Sequence, residues 1–231
     1  LRVIDKTESD YTRLCAHLSK WRKQGKVPWG AFTDSTRWYT GSRCYDSMQQ
    51  ALQNTVTAYR RNLWAAQPYH AEVGVEKDAI NGIVSDVADS FGVRTFVCRG
   101  FTSLTSLFNA AETFRARQAI GKCVVVFHLG DWDPSGQSAR EHIDRTLRDE
   151  FGLEIDIRQL AVTPTQIADW ELPTRPVKMS DRRAKAWTGG DCVELDTINS
   201  TRLKELVSGA ITDLIEPRAW KEIQQAEAME R

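Results

Sequence analysis

The sequence predicts an α/β protein: a parallel sheet flanked by helices, with a basic helical N-terminal segment and a mixed α/β C-terminal segment. Three observations lead there. Short apolar runs stand at 71–75, 95–98, 123–127 and 155–161, and helical patterns lie between them near 78–91, 103–119 and 136–151. The 231 residues are 41% hydrophobic, enough to close a core. Strands that alternate with helices in this way form right-handed βαβ crossovers on a parallel sheet.

Each element has its own warrant. Tyr11, Leu14, Cys15, Leu18 and Trp21 recur at helical spacing up to Lys23-Gln24-Gly25, where glycine suits a C-cap, and predict a helix over 9–24. Beyond Lys26-Val27-Pro28-Trp29 and Asp34-Ser35-Thr36-Arg37, a second helix is expected over 46–66, with Met48, Leu52, Val56 and Tyr59 on one face. Helix, basic turn and helix suit a DNA-binding module and equally a bare helical hairpin. The α/β core follows over 71–161. After it, Pro164, Pro173 and Pro176 surround a short helix near 164–171; then come a loop rich in Arg and Lys, a brief strand at 192–195, and helices near 200–215 and 217–230. The expected organisation is a basic segment 1–70, a core 71–161 and an extension 162–231 packed on that core.

Charge and cysteine content narrow the classes. Lys+Arg and Asp+Glu both number 31, which excludes a polycation and an acidic solvating chain. The balance is uneven, however: +6 over residues 1–70 and −3 over each of 71–150 and 151–231. A basic block beside an acidic body pairs a part that can touch phosphate with a part that can hold cations. The five cysteines form no CxxC and no zinc spacing, which fits a reducing cytoplasm. No membrane-length apolar run occurs, and Arg2, Asp5, Lys6, Glu8 and Asp10 are incompatible with a signal peptide. The chain opens on Leu1 rather than Met, so a segment upstream is expected.

Two strand ends carry carboxylates, where an open parallel sheet keeps its chemistry. The run Val73-Gly74-Val75 ends on Glu76, and Val124-Val125-Val126-Phe127-His128-Leu129-Gly130 leads into Asp131-Trp132-Asp133-Pro134-Ser135-Gly136. Residues i and i+2 of an extended chain share a side, so Asp131 and Asp133 can converge. Three carboxylates in one crevice repel each other unless a hard cation sits among them, and Mg²⁺ or Mn²⁺ is the expected cofactor. On that argument, removing Asp131 should leave the metal-free protein as stable as before or more so. Gly130 and Gly136 would allow close backbone approach to a ligand, and the helix after Ser135 offers N–H groups to an anion.

This pattern resembles the Toprim domain of topoisomerases, bacterial primases and related nucleases. Gly130-Asp131-Trp132-Asp133-Pro134-Ser135-Gly136 is most similar to the A subunit of topoisomerase VI and the meiotic double-strand-break transesterase, and Arg99-Gly100-Phe101-Thr102-Ser103 resembles the glycine-aromatic stretch of that group. Leu160-Ala161-Val162-Thr163-Pro164-Thr165-Gln166-Ile167 and Val193-Glu194-Leu195-Asp196 look like the C-terminal region of phage- and plasmid-encoded relatives. The resemblance implies a Rossmann-like core, Glu76 as general acid/base or metal ligand, Asp131 and Asp133 as Mg²⁺ ligands, DNA as partner, and a homodimer. It also implies a nucleophilic tyrosine on a preceding winged helix, which Tyr11, Tyr39, Tyr45, Tyr59 and Tyr69 do not match. The tyrosine would lie upstream, or water would take its place. Expected phosphate contacts are Arg22, Lys23, Arg37, Lys77, Arg99, Lys178, Arg182 and Arg183, the last three on a loop that could equally be solvated.

The expected function is Mg²⁺-dependent cleavage or transesterification of DNA phosphodiesters. The alternatives are a metal-dependent nuclease or nucleotidyl-transfer enzyme on other nucleic acid, and a DNA-binding protein without turnover. Other residues have plainer roles. His128 alternates away from Asp131 and is expected as a satisfied buried histidine; Cys98 and Cys123 as small core residues; Trp21, Trp64, Trp170 and Trp220 as core anchors; Trp132 as a wedge in its loop; and Glu194 and Asp196 as structural ion-pair partners.

Overall fold

The computed structural model describes residues 7–31, 44–98, 104–178 and 182–230. The chain divides into two compact units, the first ending at Cys44 and the second starting at Tyr45.

In the first unit, helix α1 (Glu8–Lys23) is capped by the Thr7 hydroxyl, which accepts from Asp10 N–H at 3.1 Å. Its acidic first turn and basic last turn both favour the helix dipole. Arg22 turns back on the following turn, donating to Trp29 O at 3.1 Å with its guanidinium 4.5 Å above the indole. Trp21 is exposed rather than a core anchor, and no residue of α1 is buried.

The second unit opens with α2 (Met48–Ala58) and continues β1 (Tyr69–Val75), α3 (Asp78–Ser90), β2 (Arg94–Val97), α4 (Leu104–Ala119), β3 (Cys123–Leu129), α5 (Pro134–Asp149), β4 (Asp156–Ala161), α6 (Pro164–Asp169), α7 (Ser200–Thr212) and α8 (Pro217–Glu230). The four strands form one parallel sheet in the order β2-β1-β3-β4. The predicted class, a parallel sheet between helices, is the observed one. Alternate residues of β3 feed two cores. Val125, Phe127 and Leu129 pack with α3 and α7 on one face, while Val124 and Val126 pack with α4 and α5 on the other.

Helix α2 ends at Ala58 instead of running to residue 66. Tyr59 turns extended, its hydroxyl donates to Glu230, and Arg61 binds Glu227 and Glu230 through its amide and guanidinium. Further on, Lys122 Nζ donates to the carbonyls of Trp64, Ala65 and Gln67. These ties bind the stretch before β1 to the rest of the second unit. The face of Met48, Leu52 and Val56 is exposed. The extension contributes Leu195, Ile198, Leu203, Val207 and Ile211 to the larger core, and Trp64 meets Trp220 edge-on at 5.7 Å. The stretch expected as a strand at 192–195 is only two isolated antiparallel bridges, Cys192 to Arg175 and Val193 to Trp132. Among the described residues no helix is long and apolar enough to cross a membrane.

Candidate functional site

Strands β1 and β3 are neighbours in register, Val75 opposite Leu129, so the residues that follow them emerge side by side. Glu76 N–H still donates to Leu129 O at 2.8 Å, and Gly130 N–H to Ala161 O at 2.7 Å, so the ladder persists for one residue past each strand. There the side chain of Glu76 turns across: its Oε2 accepts the Asp131 N–H at 2.9 Å. Gly130 and Gly136 make room for it. A Cβ on Gly130 would lie 2.9 Å from Glu76 Oε2, and one on Gly136 would lie 3.3 Å from that oxygen and 2.6 Å from Asp131 O.

Asp131 is buried, and its Oδ1 accepts the Leu195 N–H at 2.7 Å, a bond that ties the C-terminal extension to the end of β3. Lys77 Nζ reaches the same oxygen at 3.2 Å, with Asp196 at 3.2 Å and Glu194 at 3.9 Å. Asp133 caps α5, its Oδ1 accepting Gly136 N–H at 2.8 Å, while Oδ2 faces Arg175 Nη2 at 3.6 Å. The same Arg175 nitrogen lies 3.3 Å from Glu194. Between the two aspartates Trp132 points elsewhere: it bridges Val193, donates Nε1–H to Gly189 O at 3.0 Å and meets Trp187 edge-on at 5.4 Å.

Burial, then the charges of Asp131 and Asp133, hold the Glu76 carboxyl above its usual range; the Asp131 amide and Lys77 oppose this incompletely. Burial likewise raises Asp131 despite the Leu195 amide and Lys77. Lys77 is raised in turn: burial would lower it, but Asp131 and Asp196 outweigh that. The site is a repelling carboxylate group partly neutralised by two internal cations.

Among the described residues, no three His, Cys, Asp or Glu side chains close around one point as a cage would. The donors nevertheless suit Mg²⁺, which takes one or two carboxylates and leaves its other positions to water and phosphate. They are all oxygen, and Glu76 Oε1 and Asp131 Oδ2 carry no hydrogen bond from the described residues.

The predicted carboxylates Glu76, Asp131 and Asp133 therefore stand together at the carboxyl edge of the sheet. The predicted cations among the described residues differ in how their own unit engages them. Lys77 is turned into the acidic centre, Arg22 is engaged by Trp29, and Lys23 is exposed on α1. Lys178 lies beside Asp133 in a cavity; Arg182 and Arg183 lie on a short 3-10 turn, Arg182–Ala186, with Arg183 lining a groove with Trp132 and Trp187. Arg37 and Arg99 lie outside the described residues, as do Tyr39 and the segment from Gly100 to Ser103. Glu194 and Asp196 are ion-paired, as expected.

Sequence reasoning missed Arg175, although Pro173-Thr174-Arg175-Pro176, an arginine between two prolines, signals a side chain held on a stiff segment. His128 is buried as expected, but its Nδ1 has no hydrogen-bond partner among the described residues, and burial beside Arg140 pushes its pKa down to about 4. Cys98 is a core residue whose thiol burial pushes up to about 12, whereas Cys123 is exposed at the start of β3.

A scan of protein-family models and a search of curated proteins return no match to this chain. The class of the molecule is thus defined by its architecture: a parallel α/β sheet with a buried carboxylate group at the carboxyl ends of its two central strands.

Proposed function

We propose that this chain is a Mg²⁺-dependent protein of the Toprim type that acts on DNA phosphodiesters, by strand cleavage or transesterification. The observation that carries the reading is the convergence of Glu76 and Asp131 from adjacent strands, linked by the 2.9 Å bond from the Asp131 amide to Glu76 and fitted around two glycines. Glu76 and Asp131, each with one oxygen free of hydrogen bonds from the described residues, would hold the ion beside Asp133, and the ion supplies charge neutralisation at a phosphodiester oxygen. Glu76, whose carboxyl burial and the neighbouring aspartates hold above its ordinary range, suits proton transfer at the entering or leaving oxygen. Asp133 holds α5 in place through one oxygen and turns the other toward Arg175. Tyr59 is committed to Glu230, and Tyr69 stands at the opposite end of β1 from Glu76, so water or a tyrosine carried elsewhere is the nucleophile of this reading. A homodimer and a cytoplasmic setting belong to the same proposal.

The test is supercoiled plasmid incubated with the protein and Mg²⁺ or Mn²⁺, then denatured in detergent. The expected result is metal-dependent nicking that Glu76→Gln and Asp131→Asn abolish while DNA binding persists. Protein-bound label would identify a tyrosine nucleophile, and free nicked DNA would identify water. Plasmid left intact with both metals, despite salt-sensitive binding, would overturn the catalytic reading in favour of a binding protein.

A further inference from the structure

A second feature adjoins the carboxylates and differs from them in sign. Between the start of α5 and the segment around Arg175 lies a cavity of about 360 Å³, lined among others by Asp133, Ser135, Arg175, Lys178 and Cys192. Two cations and a hydroxyl face one carboxylate, so the lining is net positive where the neighbouring centre is net negative.

Arg175 is held in place. Its backbone exchanges hydrogen bonds with Cys192 at 2.9 and 2.8 Å, and Pro173 and Pro176 stiffen the chain on either side. Its ion-pair partners among the described residues, Asp133 and Glu194, both meet it at Nη2. Its Nε is buried with no hydrogen-bond partner among the described residues. A buried donor left unpaired costs about 1–3 kcal/mol, and guanidinium donors match phosphate oxygens closely. The first turn of α5 adds to this. Pro134 has no N–H, and that of Gly136 is taken by Asp133, which leaves the Ser135 amide and hydroxyl beside the cavity. The volume exceeds what a lone phosphate needs and falls in the range of small-ligand pockets.

We infer that this cavity is a phosphate pocket, built from Arg175, Lys178 and Ser135, that seats a phosphate of a nucleic-acid strand next to the acidic centre. The inference rests on the nucleic-acid reading above and deepens it. Asp133, shared by pocket and centre, sets the seated phosphate within one side chain of Glu76 and Asp131. A strand so held presents a neighbouring phosphodiester to the carboxylates without any contact to a base, and recognition at this point is therefore independent of sequence.

The experiment is run in EDTA, so that it does not depend on metal binding or cleavage. Inorganic phosphate is titrated into the full chain by calorimetry, and labelled single-stranded oligonucleotides with and without a 5′-phosphate are followed by anisotropy. Expected are saturable phosphate binding, weakened about tenfold in Lys178→Ala and in Arg175→Lys, as loss of a charge-assisted hydrogen bond implies, and unchanged in Lys204→Ala, an exposed cation on α7. Lys178 is exposed, so its replacement leaves the fold intact, which circular dichroism checks. Displacement by phosphate of the 5′-phosphorylated oligonucleotide alone assigns the pocket to a strand end; displacement of both assigns it to an internal diester. Displacement of neither, or equal phosphate binding by wild type and Lys178→Ala, overturns the inference. Plasmid left uncut with the pocket intact would count only against the catalytic reading.

Discussion

Asp131 Oδ1 lies 2.7 Å from the amide nitrogen of Leu195, sixty-four residues further along the chain. The bond fastens the C-terminal extension to the mouth of the sheet. Repulsion among the carboxylates, which alone would leave a protein without Asp131 as stable as the parent or more so, is therefore not the whole of what Asp131 does.

Asp131→Ala is therefore expected to destabilise the metal-free protein by about 1–3 kcal/mol, because the buried Leu195 N–H loses its acceptor. Asp131→Asn keeps an acceptor and should lose less than half as much. Urea denaturation in EDTA measures both. An alanine variant as stable as wild type would mean that repulsion dominates after all.

Glu76→Gln is expected to leave the fold intact at neutral pH and to flatten its pH dependence. A carboxyl raised in the folded state binds its proton more tightly there than when unfolded, so its stability contribution is greatest in acid. That contribution falls as pH rises through the folded pKa. Millimolar Mg²⁺ should raise the melting temperature of the wild type by mass action and leave that of Glu76→Gln unmoved. The absence of any metal response in the wild type would remove the metal from the proposed function.

His128 gives the opposite slope. Its pKa falls from 6.5 to about 4 on folding, so the stability it allows is complete above pH 6.5 and is lost as pH drops toward 4. The loss is on the order of 3 kcal/mol over that interval. His128→Phe should lack this slope, and thermal melts between pH 4 and 7 compare the two proteins.

Gly136→Ala puts a methyl carbon 2.6 Å from Asp131 O, a backbone atom that cannot step aside. A loss of about 1–3 kcal/mol is expected from the overpacking, with any metal response weakened because Glu76 Oε2 is also crowded. Gly82→Ala on α3, where nothing lies within 4 Å, serves as the control and should be neutral or stabilising. Equal stability of the two variants would show that the loop relaxes freely.

Much of this was legible from local pattern. The two central strands, β1 and β3, were legible because their inner residues are buried on both faces and apolar, while the edge strands β2 and β4 are only half-buried; Glu76 and Asp131 were findable because they follow β1 and β3 within two residues. What could not be read depends on contacts distant in sequence. Lys77 follows Glu76 and looks solvent-bound, yet Glu194 and Asp196 arrive from the extension to hold it inward. Helix α2 stops early because Glu227 and Glu230 on α8 compete for Tyr59 and Arg61. The prolines around Arg175 signal a stiff segment but not its destination, which the antiparallel pairing with Cys192 decides.

Asp133 divides its two oxygens between different duties, one closing the first turn of α5 and the other turned toward Arg175. An asparagine there would keep the cap almost undiminished while removing the charge. On the proposed reading, a single substitution there can silence chemistry without disturbing architecture, so a melting curve alone would not tell such a variant from the parent.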